Sequence, residues 1–214
     1  MLPTIAIQTV PGREILLRYL RGRLPQALIY SDTDRRGPLW NMERIMLAHR
    51  QTGVLILQDD VIVPDWFTTE FTRCWMPDRC MTFFMGISEE PLRLWNEGYS
   101  YVETQNIWGQ ANWYPSKFLE EYLPWSAAEA TPVCKGVTPP RGVRRYSGDD
   151  TSICMYLRHT RQYSVMTLPH LVDHQEVHST LGHPSTVRGK ARVSNVFGEQ
   201  YLREWDRTKI ARMR

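Results

Sequence analysis

Two pairs of adjacent carboxylates carry most of the chemistry this chain could perform: Asp59-Asp60, within Gln58-Asp59-Asp60, and Asp149-Asp150, within Ser147-Gly148-Asp149-Asp150-Thr151. The first pair interrupts the apolar run over residues 54–63. Carboxylates drawn into such a setting are costly unless a cation or hydrogen bonds compensate them. At the C-terminal end of a parallel strand they would project into the crevice where open α/β sheets bind ligands. Hard divalent ions such as Mn²⁺ or Mg²⁺ prefer carboxylate oxygen and are commonly shared with substrate phosphates. The plainer reading is a strand-to-turn pair that caps the next helix, although Asp65 already offers a cap there. The second pair opens a helix behind a glycine. A carboxylate so placed can take the proton of an acceptor hydroxyl, help worth about 10²- to 10⁴-fold in rate. Aspartate is also among the commonest helix-start residues. One of the two is therefore expected to be a base and the other a cap, with Asp150 preferred as the base over Asp149.

His170, His174, His178 and His183 form the one histidine cluster. The first three are spaced i, i+4, i+8, which on a helix would suit zinc. Pro169 and the strand-like Leu171-Val172 argue against a helix there, and histidines in a surface loop are the ordinary alternative. The chain has 8 Trp and 10 Tyr, and Trp95, Tyr99, Tyr101, Trp108, Trp113, Tyr114 and Trp125 fall in its middle third. Aromatic faces stack on sugars and on unpaired bases, whereas any single one reads first as a core residue.

The elements that must position these groups follow from hydrophobic spacing. Short apolar runs over 4–10, 27–30 and 54–63 alternate with helical periodicity over 13–23, 39–49 and a stretch opening at Pro64-Asp65, where Asp65 is a candidate N-cap. That β-α-β-α-β-α order argues for a mostly parallel sheet covered by helices. Residues 81–85, 99–102 and 163–168 read as further strands, and 115–123 and 151–159 as helices. Residues 127–148, rich in Pro and Gly and carrying Lys135, Arg141, Arg144 and Arg145, read as a long loop or lid. With 214 residues, 42% hydrophobic and 23% charged, the chain fits one domain of average composition, which excludes whole-chain disorder. The expected organisation is a single α/β domain over 1–184 and a basic, helical extension over 185–214.

The run from Val54 to Phe67 resembles the strand, acidic triplet and strand of nucleotide-sugar glycosyltransferases of the GT-A fold. The resemblance extends over residues 4–183 and implies a GT-A-like (Rossmann-like) sheet. In that family the acidic motif holds the ribose and the metal of a nucleotide diphosphate sugar. It implies Asp60 as metal ligand and Asp59 on the ribose or metal, with Gln58 standing where Glu is common. Thr9-Val10-Pro11-Gly12-Arg13 resembles the loop that cups the base, and Asp32 a carboxylate that reads the uracil or ribose. Trp108-Gly109-Gln110-Ala111-Asn112-Trp113 resembles the turn that positions donor sugar and acceptor. The segment 171–183 is similar to one in which a histidine completes the metal shell, here His174, with His178 as substitute. The implied activity is metal-dependent (Mn²⁺ or Mg²⁺), inverting transfer from a UDP-sugar to a hydroxyl. A metal-dependent nuclease or phosphohydrolase, and a non-catalytic nucleotide- or nucleic-acid-binding module, are the alternatives from other classes.

The formal charge of +3 is uneven. Residues 185–214 carry eight basic side chains (Arg188, Lys190, Arg192, Arg203, Arg207, Lys209, Arg212, Arg214) against Glu199, Glu204 and Asp206. Such a segment suits phosphate-rich partners. DNA carrying a hydroxymethylated pyrimidine is thus a candidate acceptor, with a glycan or protein hydroxyl as the alternative. Val196, Phe197, Tyr201 and Trp205 could instead form one side of an amphipathic helix. No run approaches the roughly 20 apolar residues of a membrane span, the N-terminus lacks a signal-peptide pattern, and Cys74, Cys80, Cys134 and Cys154 form no C-x-x-C pair. A bacterial or viral cytosolic enzyme, with no membrane partner, is the expectation.

Overall fold

Every second residue of a strand faces the same way, so a strand buried on both faces must be apolar throughout. β1 (Ile5–Thr9) and β3 (Val54–Gln58) obey this rule up to their C-terminal ends, where Gln8, Thr9 and Gln58 are polar. Ile5, Ile7, Leu55 and Leu57 point into one core, and Ala6, Val54 and Ile56 into the other. The computed structural model describes residues 3–86, 88–128, 149–175, 186–187, 190–191 and 193–213. In chain order, α1 (Glu14–Arg23), β2 (Leu28–Ser31) and α2 (Pro38–Ala48) lie between β1 and β3, and β4 (Val61–Ile62) and α3 (Phe67–Cys74) follow. Next come β5 (Met81–Thr82), α4 (Glu90–Asn96), β6 (Tyr101–Thr104), β7 (Ala111–Tyr114), α5 (Ser116–Ala128), α6 (Asp149–Thr160), β8 (Ser164–Thr167) and β9 (Asp173–His174). The chain ends with β10 (Thr186–Val187), β11 (Lys190–Ala191), a 3₁₀ turn (Glu199–Tyr201) and β12 (Ile210–Arg212).

The α/β class is as expected: one large sheet of eight strands, in the order β12-β6-β8-β5-β7-β3-β1-β2, flanked by helices. β1, β2, β3, β5 and β8 run one way, and β6, β7 and β12 the other. On one face, Leu20 of α1, Leu24 just after it, and Phe67 and Phe71 of α3 cover the sheet. On the opposite face lie Ile45 and Met46 of α2, Phe118 and Tyr122 of α5, and Ile153 and Tyr156 of α6. Burying such a side chain is worth about 1.5–3 kcal/mol, and the two layers together offset the cost of drawing carboxylates inward at the sheet's rim. Gly53 closes the turn after α2 with φ +74°, and a Cβ there would lie 2.6 Å from the Trp113 ring. Among the described residues no helix is long and apolar enough to cross a membrane. Cys74, Cys80 and Cys154 are free thiols.

The structure corrects several expectations. The extension is not helical in its described part: it holds a single 3₁₀ turn, and β12 adds to the main sheet in parallel beside β6. The described residues 193–213 therefore pack into one fold with the described residues before them. Each aromatic read as one helix face docks separately: Phe197 on Trp66, Tyr201 on Trp95, Trp205 on Tyr101. Asp65 does not cap α3, whose N-cap is Trp66 and makes no side-chain cap bond. Asp65 is instead exposed and paired with Arg23. Strand β7 and helix α4 went unforeseen. The greater part of the supposed lid, with Arg141, Arg144 and Arg145, lies outside the described residues, as do His178 and His183.

Candidate functional site

The parallel strands β1, β2 and β3 end side by side, and the residues following them build the site. Gln8 of β1 is level with Gln58 of β3, so Thr9 stands beside Asp59 and its hydroxyl donates to Asp59 Oδ2 at 2.6 Å. Asp59 is 7% exposed, and burial pushes its pKa up to about 6. The Thr9 hydroxyl, the Arg13 charge and the Val10 amide pull it back down, while the neighbouring negative Asp60 raises it further. Within the loop 9–13, Val10 and Arg13 are half-buried and Pro11 is exposed. Asp32 is buried, and its two oxygens accept the amides of Arg36 (2.9 Å) and Gly37 (2.7 Å). Its carboxylate thus anchors the loop that leads into α2.

After the turn at Asp59-Asp60, β4 pairs antiparallel with β9, setting Val61 opposite His174. The Gln175 amide donates to Asp60 O at 2.7 Å. His174 Nε2 lies 3.4 Å from Asp60 Oδ2, with both side chains largely buried. Asp60 Oδ1 and His174 Nδ1 are buried without a hydrogen-bond partner among the described residues. Two ligand atoms cis on one octahedral ion at about 2.1 Å are about 3 Å apart, so this pair fits a shared Mn²⁺ or Mg²⁺ with little movement. Among the described residues no group of three or more His, Cys, Asp and Glu side chains is placed to hold a metal. The remaining coordination positions would fall to substrate oxygens and water, as is usual for such ions.

Neither His170 nor His174 sits on a helix or in an exposed loop, which corrects both sequence alternatives for them. His170 is fully buried, its Nδ1 is 2.7 Å from Ser194 Oγ, and burial pushes its pKa down to about 3, so it is neutral. The Phe84 ring lies near both imidazoles and perpendicular to Trp108.

The second carboxylate pair approaches the same strand ends from α6. Asp149 Oδ2 accepts from Gln58 Nε2 (3.1 Å) and Gln8 Nε2 (3.3 Å), and Oδ1 accepts from the Asp150 amide. It is 5% exposed, and burial pushes its pKa up against those hydrogen bonds. Gly109 seals this junction: a Cβ would lie 2.5 Å from Gln58 Nε2 and 2.9 Å from Asp149 Oδ1. Gln110 O accepts the Gln58 amide, and Gln110 Nε2 donates to Gln58 Oε1 at 3.4 Å. Asp150 is half-buried, and its Oδ1 accepts from Thr151 N at 2.7 Å.

Thr9, Asp59, Asp60, His174, Gly109, Gln110 and Asp149 are thus brought together, with Asp150 at the adjoining helix start. Trp113 is not among them. It is a core residue of β7, its indole N–H donating to Pro77 O and its ring set edge-on against Trp75. Trp108 is half-buried, and its carbonyl accepts from Asn112 Nδ2 at 2.7 Å. Sequence reasoning missed Gln8, whose one signal is a polar residue inside a buried strand. It also missed Asp173 and Ser194, which carried none.

The basic residues that motivated a nucleic-acid partner are engaged within the fold at three described positions. Arg203 donates to the carbonyls of Trp95 and Tyr99, Arg207 to that of Trp75, and Arg212 to the Glu103 carboxylate. No protein-family model matches the chain, and neither does any curated protein.

Proposed function

We propose that this chain is a metal-dependent glycosyltransferase of the GT-A type, moving a sugar from a nucleotide diphosphate sugar, foremost a UDP-sugar, to an acceptor hydroxyl with inversion. One observation carries the reading. Asp60 and His174, far apart in sequence, face each other at 3.4 Å beside the ends of the parallel strands, each with a buried polar atom lacking a partner among the described residues. The resemblances of residues 54–67 and of 171–183 name the same two residues, Asp60 and His174, as metal ligands. A divalent ion held there supplies positive charge to offset what builds on the departing diphosphate.

The chain's own groups divide the remaining work. Thr9 fixes Asp59, leaving the carboxylate turned toward the loop 9–13 that would meet the nucleoside. Gln58, Gln110 and Gly109 shape the floor for the transferred sugar. In a single displacement the acceptor oxygen bonds to the anomeric carbon as the bond to the diphosphate oxygen breaks, and the acceptor's proton goes to a carboxylate. Asp150 is assigned that role because it remains half-exposed at the helix start. Asp149, locked beneath by Gln8 and Gln58, holds the strand ends and the helix in register.

Mass spectrometry after incubation with Mn²⁺, a panel of nucleotide sugars and three acceptor classes tests the proposal. The acceptors are a glycan, a hydroxyl-bearing peptide and DNA carrying hydroxymethylated pyrimidine. A hexose-sized mass gain on one class is the expected result. Cleavage of DNA or of a plain phosphodiester without any transfer would contradict it.

A further inference from the structure

A single carboxylate joins the C-terminal segment to the candidate metal site. Asp173 Oδ1 accepts the backbone amide of His174 (2.9 Å) and that of Ser194 (2.8 Å). The Ser194 hydroxyl lies 2.7 Å from His170 Nδ1 and accepts the Val196 amide at 3.0 Å, and the His170 amide donates to Val196 O at 3.0 Å. Residues 170–174 and 194–196 are thereby laced together next to Asp60. The β9 ladder that carries His174 is only two residues long. So short a ladder fixes an imidazole poorly by itself, and the amide of His174 needs a second hold.

We infer that Asp173 is a positioning residue for His174, and that through the Ser194 amide it ties residues 194–196 to the metal site. This rests on the reading of Asp60 and His174 as metal ligands. The task needs one oxygen at a fixed distance from the backbone, able to receive two amides; it does not need a charge. An asparagine carbonyl reaches the same point, whereas the extra methylene of glutamate carries the oxygen past it.

Mn²⁺ uptake in the presence of UDP, read by electron paramagnetic resonance on the 214-residue chain, separates these features. UDP binding without metal and thermal melting are recorded on the same samples. Outer groups that fix metal ligands are typically worth about 10- to 100-fold in metal affinity. Asp173→Asn should therefore stay within about threefold of the unaltered chain, and Asp173→Glu should lose at least about tenfold in Mn²⁺ affinity while metal-free UDP binding holds. A Glu variant that keeps its affinity within tenfold, or an Asn variant that falls outside threefold, would overturn the inference. If the unaltered chain takes up no Mn²⁺ with UDP, the ligand reading itself fails and the inference with it.

Discussion

Asp59-Asp60 and Asp149-Asp150 are the same dipeptide in two settings, and each is split by its backbone into a buried member and a more open one. Asp59 is held by the Thr9 hydroxyl with the Arg13 charge nearby, whereas Asp149 is held by two side-chain amides. Their neighbours diverge. Asp60 faces His174 across a strand pair, and Asp150 sits in the first turn of a helix, where unsatisfied amides favour negative charge. Two adjacent carboxylates cannot both be buried and ionised cheaply. A pair in which one member is deeply buried and anchored by hydrogen bonds while the other is less buried eases that conflict. The difference lies in what the open member meets: a ligand-type nitrogen at one site, a helix start at the other.

Exchanging the open members should produce the largest effects. Asp150→Asn should lower kcat by about 10²- to 10⁴-fold with UDP·Mn²⁺ affinity unchanged, as loss of a general base does. Steady-state kinetics with the acceptor found by mass spectrometry checks this. The anchors should answer in stability. Asp149→Leu takes the acceptor from the Gln58 side-chain amide and leaves that of Gln8 only the Pro38 carbonyl, a loss of about 2–4 kcal/mol. For a chain of this size that is about 6–12 °C in Tm by calorimetry.

Asp59 should reveal itself through pH. Its folded-state pKa of about 6 lies above the ordinary value of 3.8, so the folded state binds this proton more tightly than the unfolded chain. That contribution is full below about pH 3.8 and is lost as pH rises through about 6, a difference of about 3 kcal/mol. Compared with Asp59→Asn by urea unfolding, the metal-free parent should lose relative stability between pH 4 and 7. Equal pH profiles would contradict burial as the cause. The smallest effect is expected at Asp65, a carboxylate outside both pairs. Its exposed ion pair with Arg23 should leave Tm within about 2 °C in Asp65→Ala.

The first third of the fold was legible because its strands are buried on both faces and its helices on one, which writes unbroken apolar runs and 3.6-residue stripes into the sequence. β7 was not legible, because Asn112 places a polar group in a central strand where its Nδ2 is satisfied by the Trp108 carbonyl. The C-terminal segment misled for the opposite reason. Its apolar residues match a helical stripe by chance, while Glu70 takes the Trp205 indole N–H and Trp95 donates to Tyr201 O. At the site, Asp59-Asp60 announced itself by breaking an apolar run. The approach of His174 to Asp60 is a product of β4–β9 pairing, which no spacing encodes; the family resemblance alone pointed to it. The two loop amides that Asp32 accepts come from the turn into α2, which no spacing in the sequence encodes.

Calorimetry of UDP binding with and without Mn²⁺, on the parent chain and on Asp60→Asn, tests the metal site most directly. The parent should bind UDP at least about tenfold more tightly with Mn²⁺ than without. Asp60→Asn should lose that gain while melting within about 2 °C of the parent, since the substitution lies at the sheet's rim. An Mn²⁺-dependent gain that survives Asp60→Asn undiminished would contradict the metal site and the glycosyltransferase reading built on it.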